Sequence, residues 1–376
     1  MPRVIVRMFS ANTKVFRPKM ADVSTFFPVK REFFSGFIEI FSEAAISSYF
    51  FSGESIKLVV DKGVCFFSLG KKERVWKGQL HVAAKILDGR QIASQMREEL
   101  KGRIAGLVQR GIRPGLAVIL VGDDPASKSY VTAKEKACEE VGIYSSDNRL
   151  SAATTETDLL GLIERFNRDP KIHGILVQLP LPKHINEERV LNAICPEKDV
   201  DGFHPVNVGR MVIGQRCFLP CTPHGVVQML VRSGVVLEGA EVVIVGRSNI
   251  VGKPLANLLI RKGRMGNATV TICHTKTRNL AEHVRRADIV IAAAGRPRTI
   301  TADMVKEGAV VIDVGVNRVE DASSKNGYRL VGDVDFEAVR QKASMITPVP
   351  GGVGPMTITM LLYNTVESAE RAAENR

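Results

Sequence analysis

From residue 83 onward, apolar positions recur with two clean periods, and their alternation sketches a fold before any chemistry is considered. Ile92, Met96, Leu100, Ile104 and Leu107 fall three or four apart, which predicts an amphipathic helix over residues 88–111. Residues 116–122 form an unbroken apolar run, the mark of a strand buried on both faces; a polar turn and a helix from about 127 to 141 follow. Short apolar runs at 173–177, 241–245, 268–273, 288–292 and 309–313 alternate with helical segments, among them 255–262 and 356–373. Apolar strands separated by helices imply parallel sheets covered on both faces, so the class is α/β.

Residues 1–82 follow neither period. They hold 12 of the 16 Phe, four Phe-Phe pairs among them, and 13 Lys and Arg against 7 Asp and Glu, half of the formal charge of +12. Three readings stand open. Arg3, Arg7, Lys14, Arg17 and Lys19 precede the first acid, Asp22, as in a targeting presequence. A small extra domain is the second reading. Translated upstream DNA is the third: Val82 suits a GTG start, and Lys77-Gly78 suits a ribosome-binding site at the right distance.

Composition adds little to this picture. At 376 residues, 45% hydrophobic and 24% charged, the chain is long enough for two domains with real cores. No stretch approaches a membrane span, and the basic residues are scattered with no nucleic-acid-binding module among them. A phosphate-bearing cofactor accounts for part of the charge equally well. The 6 Cys show no CxxC and no paired His spacing, so reduced thiols are expected and a metal site is not.

Four segments carry candidate chemistry. The strand 241–245 runs into Gly246-Arg-Ser-Asn-Ile-Val-Gly252 and then a helix, a corner whose backbone N–H groups and helix dipole suit a phosphate, although it is not the standard GxGxxG and also fits an ordinary turn. The next strand ends in His274-Thr275-Lys276 where an acid would serve NAD; with Arg247, these residues suit a 2′-phosphate and favour NADP over NAD. Ala292–Pro297 and Asp313–Arg318 each close an apolar strand at that same carboxyl edge. Earlier, Tyr130 and Lys134 share a helical face, a pattern that amphipathic surface residues also produce. Gln178 ends a buried run, and Asp199 and Asp201 share a short loop; each alone also fits a cap or turn residue. Last, residues 347–357 hold three Pro and three Gly, which predicts a shaped loop ahead of the helix at Met356, whether for a ligand or as a rigid turn.

Taken in order, Tyr130-Val-Thr-Ala-Lys134, Val177-Gln-Leu-Pro180, Glu197-Lys-Asp-Val-Asp-Gly202, Gly246-Arg-Ser-Asn-Ile-Val-Gly252, Cys273-His-Thr-Lys-Thr277 and Pro350-Gly-Gly-Val-Gly-Pro-Met-Thr357 resemble the bifunctional methylenetetrahydrofolate dehydrogenase/cyclohydrolase family in its bacterial form. The resemblance runs from about Ala83 to the C-terminus. It implies a parallel-sheet catalytic domain (83–222 with 355–376), a Rossmann-like NADP domain (223–354), and a folate cleft between them. It also implies Lys134 as acid/base, Gln178 orienting it, Tyr130 stacked on the aminobenzoyl ring and Asp201 on the pterin. By the same resemblance Gly351, Gly352 and Pro355 would close over the folate, and Gly246, Arg247, Ser248, Thr275 and Val316 would contact NADP. Thr275 stands where many relatives have Ser, and the hydroxyl is retained. The implied partners are tetrahydrofolate derivatives, with polyglutamylated forms left open, and a second copy in a homodimer. Nucleic acid and membrane are not expected. The implied location is the cytoplasm, or the mitochondrion if residues 1–82 are a presequence.

Overall fold

The computed structural model describes residues 5–8, 56–61, 64–69, 76–81, 83–324 and 327–374. The chain divides into two compact units, Met1–Ala83 and Ala84–Arg376. In the first, strands β1 (Ile5–Met8), β2 (Ile56–Asp61), β3 (Val64–Leu69) and β4 (Trp76–His81) form an antiparallel sheet in the order β1-β4-β3-β2. The presequence and upstream-DNA readings of this segment fall largely outside the described residues.

The second unit opens with a two-residue strand, β5 (Lys85–Ile86), and helix α1 (Gly89–Gln109). Asp88 starts the helix by accepting the N–H groups of Arg90 and Gln91 at 2.8 and 3.2 Å. Ala93, Met96, Leu100, Ile104 and Leu107 form its buried stripe. Next come β6 (Gly115–Val121), with all seven residues buried, α2 (Pro125–Val141), β7 (Tyr144–Leu150), α3 (Glu156–Arg168) and β8 (Gly174–Val177). The three strands form a parallel sheet in the order β7-β6-β8, so the strand order reverses at β6. The polar β7, Tyr-Ser-Ser-Asp-Asn-Arg-Leu, was not expected from the pattern: as an edge strand it needs no apolar run.

Helices α4 (Glu187–Ala193), α5 (Pro205–Val212) and α6 (Cys221–Arg232) lead to the larger sheet. It contains β9 (Glu241–Val245), β10 (Thr269–Cys273), β11 (Ile289–Ala292), β12 (Val310–Asp313) and a short β15 (Met345–Ile346). Helices α7 (Gly252–Leu259) and α8 (Leu280–Arg286) connect the first three of these. The hairpin β13 (Asn317–Glu320) and β14 (Tyr328–Val331), with the short α9 (Phe336–Val339), lies between β12 and β15, and helix α10 (Val353–Glu374) ends the fold. The larger sheet is parallel throughout, in the order β10-β9-β11-β12-β15-β5. Its strand order reverses between β9 and β11, the place where open α/β sheets hold their ligands.

Three boundaries differ from the sequence reading. The expected division at 222/223 falls inside α6, and β5, assigned to the first domain, pairs with β15 in the second sheet. A two-residue strand carries no period, so only its pairing reveals it. Helix α10 begins at Val353 rather than Met356, which confines the loop to 347–352 and puts Pro355 in the first helical turn. Proline is tolerated there because first-turn N–H groups have no partner inside the helix. The last helix then returns to the first lobe: buried Asn364 donates to the Val200 and Leu219 carbonyls at 2.8 and 3.0 Å, and Ser368 donates to those of His173 and Glu197 at 2.6 and 2.9 Å. Among the described residues, no helix is long and apolar enough to cross a membrane.

Candidate active site

Lys134 sits one turn beyond Tyr130 on α2 and is buried, whereas Tyr130 keeps 45% of its surface exposed. Lys134 Nζ donates to Gln178 Oε1 at 2.9 Å, and Gln178 Nε2 donates to the Leu179 carbonyl at 2.7 Å, which fixes which end of the amide faces the lysine. Gln178 is delivered by β8: its N–H continues the ladder to the Ile119 carbonyl at 2.8 Å.

The loop after Pro196 brings in the acids, and the two behave differently. Asp199 is buried and accepts the N–H groups of Gly202, Phe203 and His204 at 3.1, 3.2 and 2.8 Å, and Asn207 Nδ2 at 2.8 Å. It winds the loop. Burial raises its carboxyl to about 6 despite these donors. Gly202 has φ +76°, and a Cβ there would lie 2.6 Å from Pro220 N, so the turn needs glycine. Asp201, so presented, is electrostatically coupled to Lys134 and to Cys221. Burial raises the Asp201 carboxyl, and Lys134 and Cys221 counter it. Burial likewise lowers the Lys134 ammonium, with Asp201 the chief opposing influence.

Cys221, first residue of α6, donates to the Val200 carbonyl at 3.3 Å and completes the cluster. Sequence reasoning set it aside with the other thiols; a cysteine opening a helix after Leu-Pro is the only signal it offered. Burial pushes the Cys221 thiol well up and Cys138, one turn after Lys134, up to about 12. Neither thiol supplies a thiolate nucleophile at neutral pH. The cluster suits proton transfer by an amine.

At the other sheet, Gly246 lies at the strand-order reversal with φ +142°, and a Cβ there would overlap the Ala293 carbonyl. A Cβ on Gly252 would overlap the Gly246 carbonyl and lie 3.0 Å from Arg247 Cα. Strand, turn and helix are therefore packed so closely that only glycine fits. Ser248 Oγ accepts the Val251 and Gly252 N–H groups at 3.1 and 3.4 Å, so it shapes the turn and keeps a proton to donate. Across the crevice, His274 Nδ1 accepts the Lys276 N–H at 3.1 Å and Thr277 Oγ1 accepts the His274 N–H at 2.9 Å. The exposed side chains of Arg247, Thr275 and Lys276 have no hydrogen-bond or ion-pair partner among the described residues. This backbone cradle with free cationic and hydroxyl groups fits a dinucleotide bearing a 2′-phosphate.

Val316 is 50% exposed beside β12. Behind it lie two buried carboxylates, Asp313 and Asp333. The second was missed because Gly332-Asp333 after a half-buried strand reads as a turn. Burial pushes Asp313 up to about 7, against three N–H donors that favour its charge. Gly351 and Gly352 lie in the 347–352 loop, where the Gly352 carbonyl occupies the place a Gly89 Cβ would take. Pro355 is half-buried.

Comparison with known proteins bears on these sites together. Residues 87–201 match the model of the tetrahydrofolate dehydrogenase/cyclohydrolase catalytic domain, and residues 220–373 match that of its NAD(P)-binding domain. The bifunctional protein FolD of Syntrophus aciditrophicus is 61% identical over 292 residues, covering 78% of this chain and 99% of the relative. That of Moorella thermoacetica is 60% identical over 288 residues, covering 77% and 99%. Among solved structures, the Campylobacter jejuni bifunctional enzyme is 52% identical, with a TM-score of 0.73, over 77% of this chain and 99% of its own. The Trypanosoma brucei enzyme, solved with NADP cofactor and an inhibitor, is 43% identical over the same shares, with a TM-score of 0.74.

Proposed function

The chain belongs to the tetrahydrofolate dehydrogenase/cyclohydrolase family, and we propose that Lys134, Gln178, Tyr130 and Asp201 serve both of its reactions. The protein is an NADP-dependent methylenetetrahydrofolate dehydrogenase and a methenyltetrahydrofolate cyclohydrolase of one-carbon metabolism. It oxidises 5,10-methylenetetrahydrofolate to the methenyl cation and hydrolyses that cation to 10-formyltetrahydrofolate. The observation that carries the residue assignment is the bond from buried Lys134 to Gln178 beside Asp201.

NADP supplies the hydride acceptor when bound. Gly246, Arg247, Ser248, Thr275 and Val316 would hold it, with Arg247 and Thr275 available to its 2′-phosphate. Tyr130 offers its exposed ring to the aminobenzoyl group, and Asp201 accepts pterin N–H groups through a charge-assisted pair. Gly351, Gly352 and Pro355 close over the folate. Oxidation requires no protein base at the carbon losing hydride, so there the residues act by orientation. Hydration of the cation and ring opening require proton movement. Lys134 provides it: burial raises its share of neutral amine, and Gln178 fixes the direction of Nζ.

The Asp201–Lys134 lobe and the lobe carrying the larger sheet divide the labour between folate and cofactor. The catalytic part spans 83–222 and 355–376 less β5, and the cofactor part 223–354 with β5 added. Two copies associate through the β10 edge of the larger sheet, where Ile272 on the strand stands 38% exposed and Ile260 and Met265, between α7 and β10, stand 56% and 44% exposed. The protein works in the cytoplasm; the curated relatives named above are bacterial, which leaves the mitochondrial alternative without support.

An absorbance assay with methylenetetrahydrofolate tests the reading, comparing NADP with NAD and following methenyl formation and decay. Methenyl formation with NADP followed by its decay is expected. Formation without decay would remove the cyclohydrolase and with it the role given to Lys134.

A further inference from the structure

Three loops meet at the carboxyl edge of β11, β12 and β15, on the side of the strand-order reversal away from Arg247 and Thr275 and so where the far end of a dinucleotide would reach, and two buried carboxylates tie them together. Asp333 Oδ2 accepts the N–H groups of Ala294 and Gly295, just beyond β11, at 2.6 and 2.8 Å; its Oδ1 accepts Asn317 Nδ2, just beyond Val316, at 2.8 Å. Asp313 Oδ1 accepts the N–H groups of Gly315 and Asp333 at 3.0 and 2.9 Å, and its Oδ2 accepts that of Val334 at 3.0 Å. The Asp313 N–H in turn donates to Thr347 Oγ1 at 2.7 Å, and Thr347 opens the loop containing Gly351 and Gly352. Asp333 and Thr347 are completely buried. Two glycines make room: a Cβ on Gly315 would overlap the Asp333 carboxylate, and one on Gly332 would overlap that of Asp313.

A buried carboxylate costs free energy unless donors surround it, and a hydrophobic plug would cover the same volume without that cost. What a plug cannot do is fix the angle of three separate backbones. From this geometry we infer that Asp333, relayed through Asp313 to Thr347, is a positioning residue that sets the nicotinamide end of the cofactor against the folate loop. The inference rests on the cofactor reading above. It assigns Asp333 to hydride transfer and leaves it without a part in hydrolysis, because Lys134, Gln178 and Asp201 are held by other segments.

The test is Asp333→Asn, which keeps the shape but puts an amide N–H where a carboxylate oxygen accepted. Four readouts are needed: NADP-dependent oxidation, hydrolysis of supplied methenyltetrahydrofolate without NADP, and calorimetric affinities for NADP and for 2′,5′-ADP, which carries only the adenosine end. Oxidation should fall by about a hundredfold, the scale of a reacting group displaced by ~1 Å. NADP affinity should weaken by about threefold to tenfold, the effect of about one net hydrogen bond. Hydrolysis and 2′,5′-ADP affinity should hold. Parallel loss of both activities, equal weakening for both ligands, or no change in oxidation would each overturn the inference. Absence of NADP-dependent oxidation in the unmodified protein would instead overturn the cofactor reading. If Asp333→Asn does not fold, Asn317→Ala removes one donor from the more exposed side. It should lower oxidation by about tenfold with hydrolysis intact, and unchanged oxidation there would overturn the inference equally.

Discussion

The two lobes build their sites from different materials. At the larger sheet the cradle is backbone: Gly246 and Gly252 pack where no Cβ fits, Ser248 ties the turn, and the cationic groups stand exposed around it. In the smaller lobe the site is made of side chains from α2, the end of β8, the 199–203 loop and the start of α6, and burial sets their protonation. A backbone cradle binds a constant ligand by shape. A buried amine moves protons, and its environment governs how readily.

The largest effect should therefore come from the smaller lobe. Lys134→Met keeps the stem and removes the amine, so cyclohydrolase should fall by about two to four orders of magnitude, the usual range of a general acid or base. Measured at saturating folate, dehydrogenase should suffer less, and the methenyl intermediate should accumulate in the near ultraviolet. Hydrolysis at the unmodified rate would remove Lys134 from acid/base work and break the contrast between the lobes.

At the cradle, losses should be in binding. Arg247→Ala should raise the Michaelis constant for NADP roughly tenfold to a hundredfold, the value of a charge-assisted contact of about 1.5–3 kcal/mol, and leave use of NAD nearly unchanged. Equal losses with both cofactors would place Arg247 away from the 2′-phosphate.

A third test lies in α6, which runs from the catalytic cluster back against α10. His224 there is buried edge-on to Tyr363, with ring centroids 5.7 Å apart, and burial lowers it to about 4. A base held below its ordinary value contributes stability that is present above pH 6.5 and lost as pH falls from 6.5 to 4. Across that window the contribution is on the order of 3 kcal/mol. His224→Phe keeps a ring and removes the titration, so on going from pH 7.5 to 4.5 the variant's thermal midpoint should rise relative to that of the unmodified protein. Asp199 and Asp313, raised rather than lowered, add an opposite trend common to both proteins, and the comparison cancels it. An identical pH dependence in the two proteins would mean that His224 takes up its proton without leaving the fold.

The smallest effect should come from the first unit. A protein beginning at Val82 should keep both activities, because every residue assigned to either site lies in the unit that starts at Ala84. If it lost either one while the full chain retained it, residues 1–82 would belong to the working enzyme.

Much of this was legible in the sequence because it is local. A helix stripe repeats within one segment, as from Ala93 to Leu107, and so does the apolar run of β6. The turn from Gly246 to Gly252 and the pair Tyr130 and Lys134 are likewise set by neighbours in the chain. Where pairing or packing between distant segments decides, the pattern was silent: β5 joins the second sheet through β15, and α10 starts three residues early by taking Pro355 into its first turn. The separate fates of Asp199 and Asp201 are the sharpest case. Two residues apart in one motif, they differ only in what surrounds them: one is ringed by N–H donors, the other is set beside an amine. The sequence by itself determined which chemical groups this protein owns and the periodic elements that carry them. Tertiary structure decided which of those groups face each other and which protons they hold, because desolvation and charge coupling arise from atoms that segments far apart in the chain bring within a few ångströms.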